Sequence, residues 1–288
     1  MFTSVVSLHT DPLTCGVARF SQELAKRLDV PFRGLRERTP GGDRFPLFSL
    51  KMSEMDMVPY DHFDGDYGVF WHDRGDYRIT EQAQIVFHGD PSLGRNGLWC
   101  PPVVAELQPP VTSHLRIFTC GMASKFNAKP YERLRELLDE TPHTAQLRVS
   151  VAVHEGTSLT DAEAELRSLK AIMGRHVVYV LGCLTDEAVA RELKKCLAVA
   201  SFYPKGVRAN NTTAHAAMSQ GQALITNLDA DSPMDFIHRV TCYDINKIEQ
   251  WPTLSDFDRV ALNGQALYYS TYDWDHLVAR ITECANSK

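Results

Sequence analysis

What this 288-residue chain lacks narrows its function before any motif is read. No apolar run approaches the roughly 20 residues needed to cross a bilayer. The amino terminus, MFTSVVSLHTDPLTCG, has no basic stretch leading into a long apolar one, so it does not read as a secretory signal and a cytoplasmic protein is expected. Its seven cysteines are odd in number, scattered, and never paired as C-x-x-C. That argues against a disulfide framework and a zinc knuckle and leaves reduced thiols. Positive charge is also short: 30 Lys+Arg face 36 Asp+Glu, a net charge of −6, so no global field draws the chain to nucleic acid or anionic lipid.

Several catalytic signatures are missing as well. There is no G-x-x-x-x-G-K-[ST], no G-x-S-x-G, no H-E-x-x-H, and no G-x-G-x-x-G after the first strand-like run. The common nucleotide hydrolases, serine hydrolases, zinc peptidases and standard dinucleotide-binding enzymes are thereby set aside. Asp64–Gly65–Asp66 and Asp229–Ala230–Asp231 match D-x-D, but three residues recur by chance in acidic loops. Both are read as solvated turns, with no metal and no cofactor expected.

What is present is a repeated alternation. Ser4–Leu8 (SVVSL) reads as a buried strand. After a turn-rich loop, Val17, Phe20, Leu24 and Leu28 mark one face of a helix. Val30–Leu35, Tyr67–Trp71 and Gln84–His88 are further strand-like runs, while 36–66 is polar and shows no order. Pro109–Ser113 reads as a linker. The pattern then restarts with strands at Leu115–Cys120, Leu147–Val153, Val177–Leu181, Leu197–Tyr203 and Ala223–Thr226. Helices lie between them, two of them opened by Thr160 with Glu163 and by Thr185. Helices around Val260–Leu267 and Trp274–Ile281 close the chain. Alternating β and α predicts parallel sheets covered by helices. The expected fold is α/β, with two Rossmann-like doubly wound domains facing a central cleft. They are drawn as 1–112 on the acceptor side and 113–288 on the donor side, the last helix being free to pack back on the first domain. Ligands in such sheets sit at the carboxyl ends of strands.

The segment Ser201–Gly221 carries the most chemistry: a strand, then Lys205, Gly206 and Arg208, then Asn210, Asn211, Thr212 and Thr213, then a small-residue helix. Asn and Thr are N-cap types, and a helix start beside Lys and Arg suits phosphate oxygens. A plain cap with solvated cations is the alternative. Lys125, in the loop after Leu115–Cys120, repeats this logic more weakly. In the first half, His9, Asp11 and Gly16 fill the loop after the first strand, and Gly16 lets backbone approach a ligand. His72–Asp73 and His88–Gly89–Asp90 end the later runs.

The order of segments resembles the GT-B glycosyltransferases, in particular the retaining glycosyltransferase family 4 type. The matching pieces are CGVARFSQELAKRL, IVFHGD, IFTCGMASKFNAKPYERLRELL, VYVLGCLTDEAVARELKKC, GVRANNTTAHAAMSQGQALITN and YDWDHLVARI. The resemblance leaves 36–66 and 232–256 uncovered. It implies a nucleotide-diphosphate sugar as donor substrate, a sugar moved with retention, and no metal. Gly16 would lie against the donor diphosphate, and His88 near the transferred sugar. Lys125 would be the basic residue of the diphosphate loop, and Leu184 would hold the nucleobase. Asn210, Asn211, Thr212 and Thr213 would meet the phosphates, with His9, Asp11 and Asp90 on the acceptor side. His88, Lys125 and Arg208 are the expected catalytic residues. The family's pair of glutamates eight positions apart falls on Arg208 and Ala216, and neither is acidic. A GT-B-like protein that binds a nucleotide-sugar without turnover therefore stays open beside the enzyme.

A third reading makes the acceptor a polyanion such as hydroxylated DNA bases, contacted through 26–51. That stretch holds seven basic residues against three acids, followed by seven acids and one base between Glu54 and Asp76. This reading predicts acceptor affinity that falls steeply with salt, with Arg33→Ala, Arg36→Ala and Arg38→Ala each lowering the log–log slope by about 1. Fluorescence anisotropy over a salt series measures it, and a flat series removes the polyanion.

Overall fold

The computed structural model describes residues 1–13, 15–37, 42–58, 60–93, 96–103, 115–122, 126, 128–152 and 159–286. It divides into two compact units, Met1–Val103 with Tyr272–Lys288, and Val104–Thr271. No helix among the described residues is long and apolar enough to cross a membrane.

In the first unit, β1 (Ser4–Ser7), β2 (Phe32–Gly34), β3 (Pro46–Leu50), β4 (Gly68–Trp71) and β5 (Ile85–His88) form one parallel sheet in the order β2-β1-β3-β4-β5. Every residue of β1, β3 and β4 is buried. This is why they read as continuous apolar runs: a parallel sheet is covered on both faces. Successive side chains point to opposite faces. Val5, Leu47, Phe70 and Phe87 therefore join one core with Phe20 and Leu24 of α1 (Gly16–Arg27). Val6, Phe48, Val69 and Trp71 join another with Met55, Tyr67 and Ile79, the last on α2 (Tyr77–Gln82). Strand β3 lies inside the stretch 36–66 that showed no order in sequence. It is five residues long and begins with proline, which a strand tolerates at its first residue.

In the second unit, β6 (Arg116–Met122), β7 (Gln146–Ala152), β8 (Val177–Gly182), β9 (Ala198–Ala200), β10 (Ala223–Thr226) and β11 (Tyr243–Asp244) form a parallel sheet in the order β11-β10-β9-β6-β7-β8. Helices α3 (Ala128–Asp139), α4 (Leu159–Met173), α5 (Asp186–Leu193) and α6 (Thr212–Ser219) alternate with β6 to β10, and α7 (Leu254–Leu267) follows β11. Thr185 caps α5 as expected, its Oγ1 accepting the Ala188 N–H. Thr160 does not cap α4: the helix begins at Leu159, which places Thr160 inside the first turn. Gly174 ends that helix at φ +57°, the left-handed conformation glycine adopts without strain. A capping box of Thr253 and Asp256 opens α7.

The closing helix Trp274–Asn286 belongs to the first unit. Its Trp274, Leu277 and Ile281, spaced 3 and 4 apart, enter the Val5 core. The Trp274 ring lies 5.2 Å from Phe20, with Arg27 5.3 Å over its face, and its Nε1–H donates to the Pro102 carbonyl at 3.0 Å. Trp274→Ala is expected to cost the first unit about 3–5 kcal/mol, read as a lower midpoint in denaturant melts.

Candidate functional site

Strand order says where each sheet can hold a ligand: beyond the carboxyl ends, where the order reverses direction. In the first sheet that point falls between β1 and β3. His9, Asp11 and Gly16 follow β1, His72 and Asp73 follow β4, and Asp90 follows β5, which His88 ends. The residues expected on the acceptor side thus share one sheet edge. Asp11 shapes the loop after β1: its Oδ1 accepts the Leu13 N–H at 2.9 Å and its carbonyl accepts the Cys15 N–H at 3.1 Å. At Gly16 a Cβ would meet nothing within 4 Å, so space does not demand a glycine there. The first turn of α1 carries no acid, and its cap residue Cys15 makes no side-chain cap bond.

His88 is buried and pinned by its backbone. Its N–H reaches the Asn96 carbonyl at 3.4 Å, and its carbonyl accepts the Leu98 N–H at 2.7 Å. Burial pushes its pKa down, against the opposing pull of the Asp73 backbone and the charges of Asp90 and Asp73, which favours the neutral ring. Its Nδ1 has no hydrogen-bond partner among the described residues. Asp90 Oδ1 is held by the Ser92 N–H at 3.0 Å and the Ser92 Oγ at 2.8 Å.

His72 has a different job. Its Nε2 lies 2.9 Å from Ser49 Oγ, which lies 2.8 Å from Ser21 Oγ, and Ser21 donates its one proton to the Val17 carbonyl at 2.7 Å. Cys100 Sγ lies 3.6 Å from the other ring nitrogen. Burial, then the nearby Lys51, push the His72 pKa down to about 3, and burial pushes the Cys100 thiol up. One arrangement of protons satisfies the row: Cys100 donates to Nδ1, Nε2 to Ser49, Ser49 to Ser21 and Ser21 to Val17. This neutral chain ties the ends of β3 and β4 to the first turn of α1.

In the second sheet the order reverses between β6 and β9. Lys125, in the loop after β6, lies outside the described residues. Across the reversal, Cys120 Sγ of β6 lies 3.8 Å from Thr213 Oγ1 at the start of α6. Asn211 is the N-cap residue of α6, yet its side chain makes no cap bond to the helix. Its Oδ1 instead accepts the Arg208 N–H at 2.6 Å, closing the loop on itself. The first turn of α6 also lacks an acid. Thr212 and Thr213 stand at the positive end of the helix dipole, and the Tyr203 hydroxyl meets this first turn at the Thr213 side chain and the Ala214 N–H. Asn210 precedes the cap, and Leu184 lies half-buried between β8 and α5, on the same carboxyl edge.

Two residues outside the expected site build this loop. Asn227, just past β10, takes the Tyr203 N–H on Oδ1 at 2.8 Å and returns its Nδ2–H to the Tyr203 carbonyl at 2.7 Å. Asp229 receives both arms of Arg208, at 2.7 and 2.8 Å, and Asp231 lies 3.5 Å from the same guanidinium. The pairing holds the Asp229 carboxyl below its usual range. Asp229–Ala230–Asp231 is therefore not a freely solvated turn but the counter-charge of Arg208, whose side chain is only 13% exposed. Gly206, at φ +73°, permits this approach: a Cβ there would sit 2.7 Å from the Asp229 carboxyl carbon. Ala216 is buried one turn into α6, with no carboxylate to offer. Among the described residues no three His, Cys, Asp or Glu side chains are grouped to hold a metal.

No family model matches the chain, and no curated protein does. Solved structures do. Anabaena Alr3699/HepE, solved with UDP-glucose, superposes with a TM-score of 0.68 at 14% identity over 99% of this chain and 100% of its own. A glycosyltransferase from Rickettsia africae ESF-5 gives 0.61 at 10% identity over 99% and 98%. An alpha-glucosyltransferase solved with UDP gives 0.60 at 9% over 98% and 99%. The chain has the GT-B fold.

The neutral row through His72 has a consequence for stability. Unfolded, that imidazole takes up its proton near 6.5; folded, near 3. The unfolded chain therefore binds more protons between these values, so stability rises with pH across the window and is lost as pH falls. By pH 5 the loss from this group is about 2 kcal/mol. Urea melts between pH 4 and 7 measure it, and His72→Gln should flatten the dependence.

Proposed function

We propose that the chain is a glycosyltransferase that moves a sugar from a nucleotide-diphosphate sugar to an acceptor hydroxyl, with retention and without a metal. The observation that carries this is the start of α6. An acid-free helix N-terminus, with no side-chain cap from Asn211, stands at the order reversal of its sheet, in a loop locked by Asn227 and Asp229. Such a terminus matches a diphosphate in charge and in donor geometry. The GT-B neighbours solved with UDP-glucose and UDP support a uridine nucleotide as the donor's carrier.

Transfer breaks the anomeric C–O bond and gathers negative charge on the departing diphosphate. Groups fixed before the reaction and aimed at that charge stabilise it more in the transition state than in the ground state. The amides of Thr212 and Thr213, with Arg208 and Lys125, take this role. Asn210 and Asn211 shape the turn around the phosphates, and Leu184 packs on the base. In a retaining reaction without an enzymatic nucleophile, the acceptor hydroxyl attacks from the leaving-group face and passes its proton to the diphosphate oxygen. His88, neutral and rigidly held, then orients sugar or acceptor hydroxyls through one hydrogen bond without adding charge. His9, Asp11 and Asp90 complete the acceptor side, and Gly16 opens α1 toward the donor. We place this activity in the cytoplasm.

One observation favours the second reading, a nucleotide-sugar binder without turnover: Arg208 already carries Asp229 and Asp231, and Ala216 offers no carboxylate. Release of nucleoside diphosphate separates the two. The enzyme releases UDP from UDP-glucose in the presence of acceptor or, slowly, water, and Arg208→Ala lowers that rate about 10²–10³-fold. The binder gains thermal stability with UDP-glucose yet releases none. If neither UDP nor any nucleotide-sugar raises the melting temperature, both readings fail.

A further inference from the structure

We propose that a pocket on the second unit, between β11 and the start of α7, binds a small aromatic carboxylate, with Arg239 and Tyr243 taking the carboxylate and Trp251 and Pro252 taking the ring. None of these residues belongs to the site described above, and the inference stands whether or not the chain transfers sugar.

The cavity measures about 270 Å³. Tyr243 lines it, only 1% exposed, wedged against Phe257 at 5.3 Å between ring centres. Its hydroxyl is buried and has no hydrogen-bond partner among the described residues. A buried donor left unpaired is unfavourable, and a packed core has no use for it where phenylalanine would fill the same space. Burial pushes the Tyr243 pKa up to about 12, so the group stays a donor at neutral pH. A ligand acceptor completes it.

The charges lining the cavity set that acceptor's charge. Asp256 takes Arg259 at 2.8 Å and the Thr253 hydroxyl at 2.7 Å, so this arginine is neutralised and the carboxylate is spent on the helix cap. Arg239 makes no ion pair among the described residues, and it holds a left-handed backbone at φ +64°, a conformation arginine rarely adopts. One uncommitted guanidinium matches one negative charge, and its planar fork matches a carboxylate. A dianionic phosphate would bring a second charge toward Asp256. Beside Gln250 and Thr253, the rest of the wall is Trp251, itself 5.3 Å from Phe257, with Pro252 and the buried Ile248. That surface takes a ring.

The test titrates benzoate into the intact chain, with benzamide and inorganic phosphate as controls, followed by saturation-transfer NMR and thermal melts. The expected result is saturable benzoate binding, with benzamide and phosphate at least tenfold weaker and no displacement by excess UDP. Tyr243→Phe should melt at the same temperature or higher without ligand, since it removes only an unpaired hydroxyl, yet bind benzoate at least fivefold more weakly. Arg239→Gln should weaken it about tenfold. The proposal is overturned if benzamide or phosphate binds as well as benzoate, if UDP displaces benzoate, if neither variant changes its affinity, or if Tyr243→Phe melts lower, which would show that the hydroxyl already has a partner in the protein.

Discussion

The start of α6 has no acid in its first turn and takes no side-chain cap from Asn211, and the loop leading into it is braced from beyond the helix. Asn211 stands where a cap belongs and spends its side-chain oxygen on the Arg208 amide instead. The loop that results is stiff, because Asn227 grips Tyr203 from the end of the next strand and Asp229 grips Arg208 from the loop beyond it. In the proposed transfer this rigidity has a chemical purpose. Donors aimed in advance at a developing charge need no reorganisation when that charge appears, whereas a floppy loop would spend part of its binding energy on ordering itself.

The first unit carries a different device. A row of neutral groups from Cys100 through His72, Ser49 and Ser21 ties the strand ends to the Val17 carbonyl in the first turn of α1. Each member is satisfied and none is charged, so the row can be buried at little electrostatic cost. His88 is buried a strand away with one nitrogen left over. Two histidines on neighbouring strands thus divide into a structural one whose hydrogen bonds are used up and one with bonding capacity to spare.

Much of this was legible in the residues, because parallel strands buried on both faces leave uninterrupted apolar runs: SVVS, GVFW and IVFH all became strands. What escaped did so for physical reasons. Strand β3 is five residues in polar surroundings and opens on proline, and β11 is two residues long; neither leaves a periodic signal. The loop before α6 was visible as a run of Asn and Thr, residue types that collect at helix starts. Its supports were not: Asn227 and Asp229 act on residues about twenty positions earlier, and only the β9–β10 pairing brings them into reach. For the same reason, Asp229 and Asp231 looked like an acidic turn, when their contribution is to balance Arg208.

The sugar-transfer role proposed for the second unit reduces to where a pyrophosphate makes its hydrogen bonds. Amide hydrogen exchange, followed residue by residue with and without saturating UDP, tests that directly. The account predicts slowed exchange confined mainly to the amides of Thr212, Thr213 and their loop neighbours from Arg208 onward. UDP that binds while those amides exchange as fast as before would contradict it.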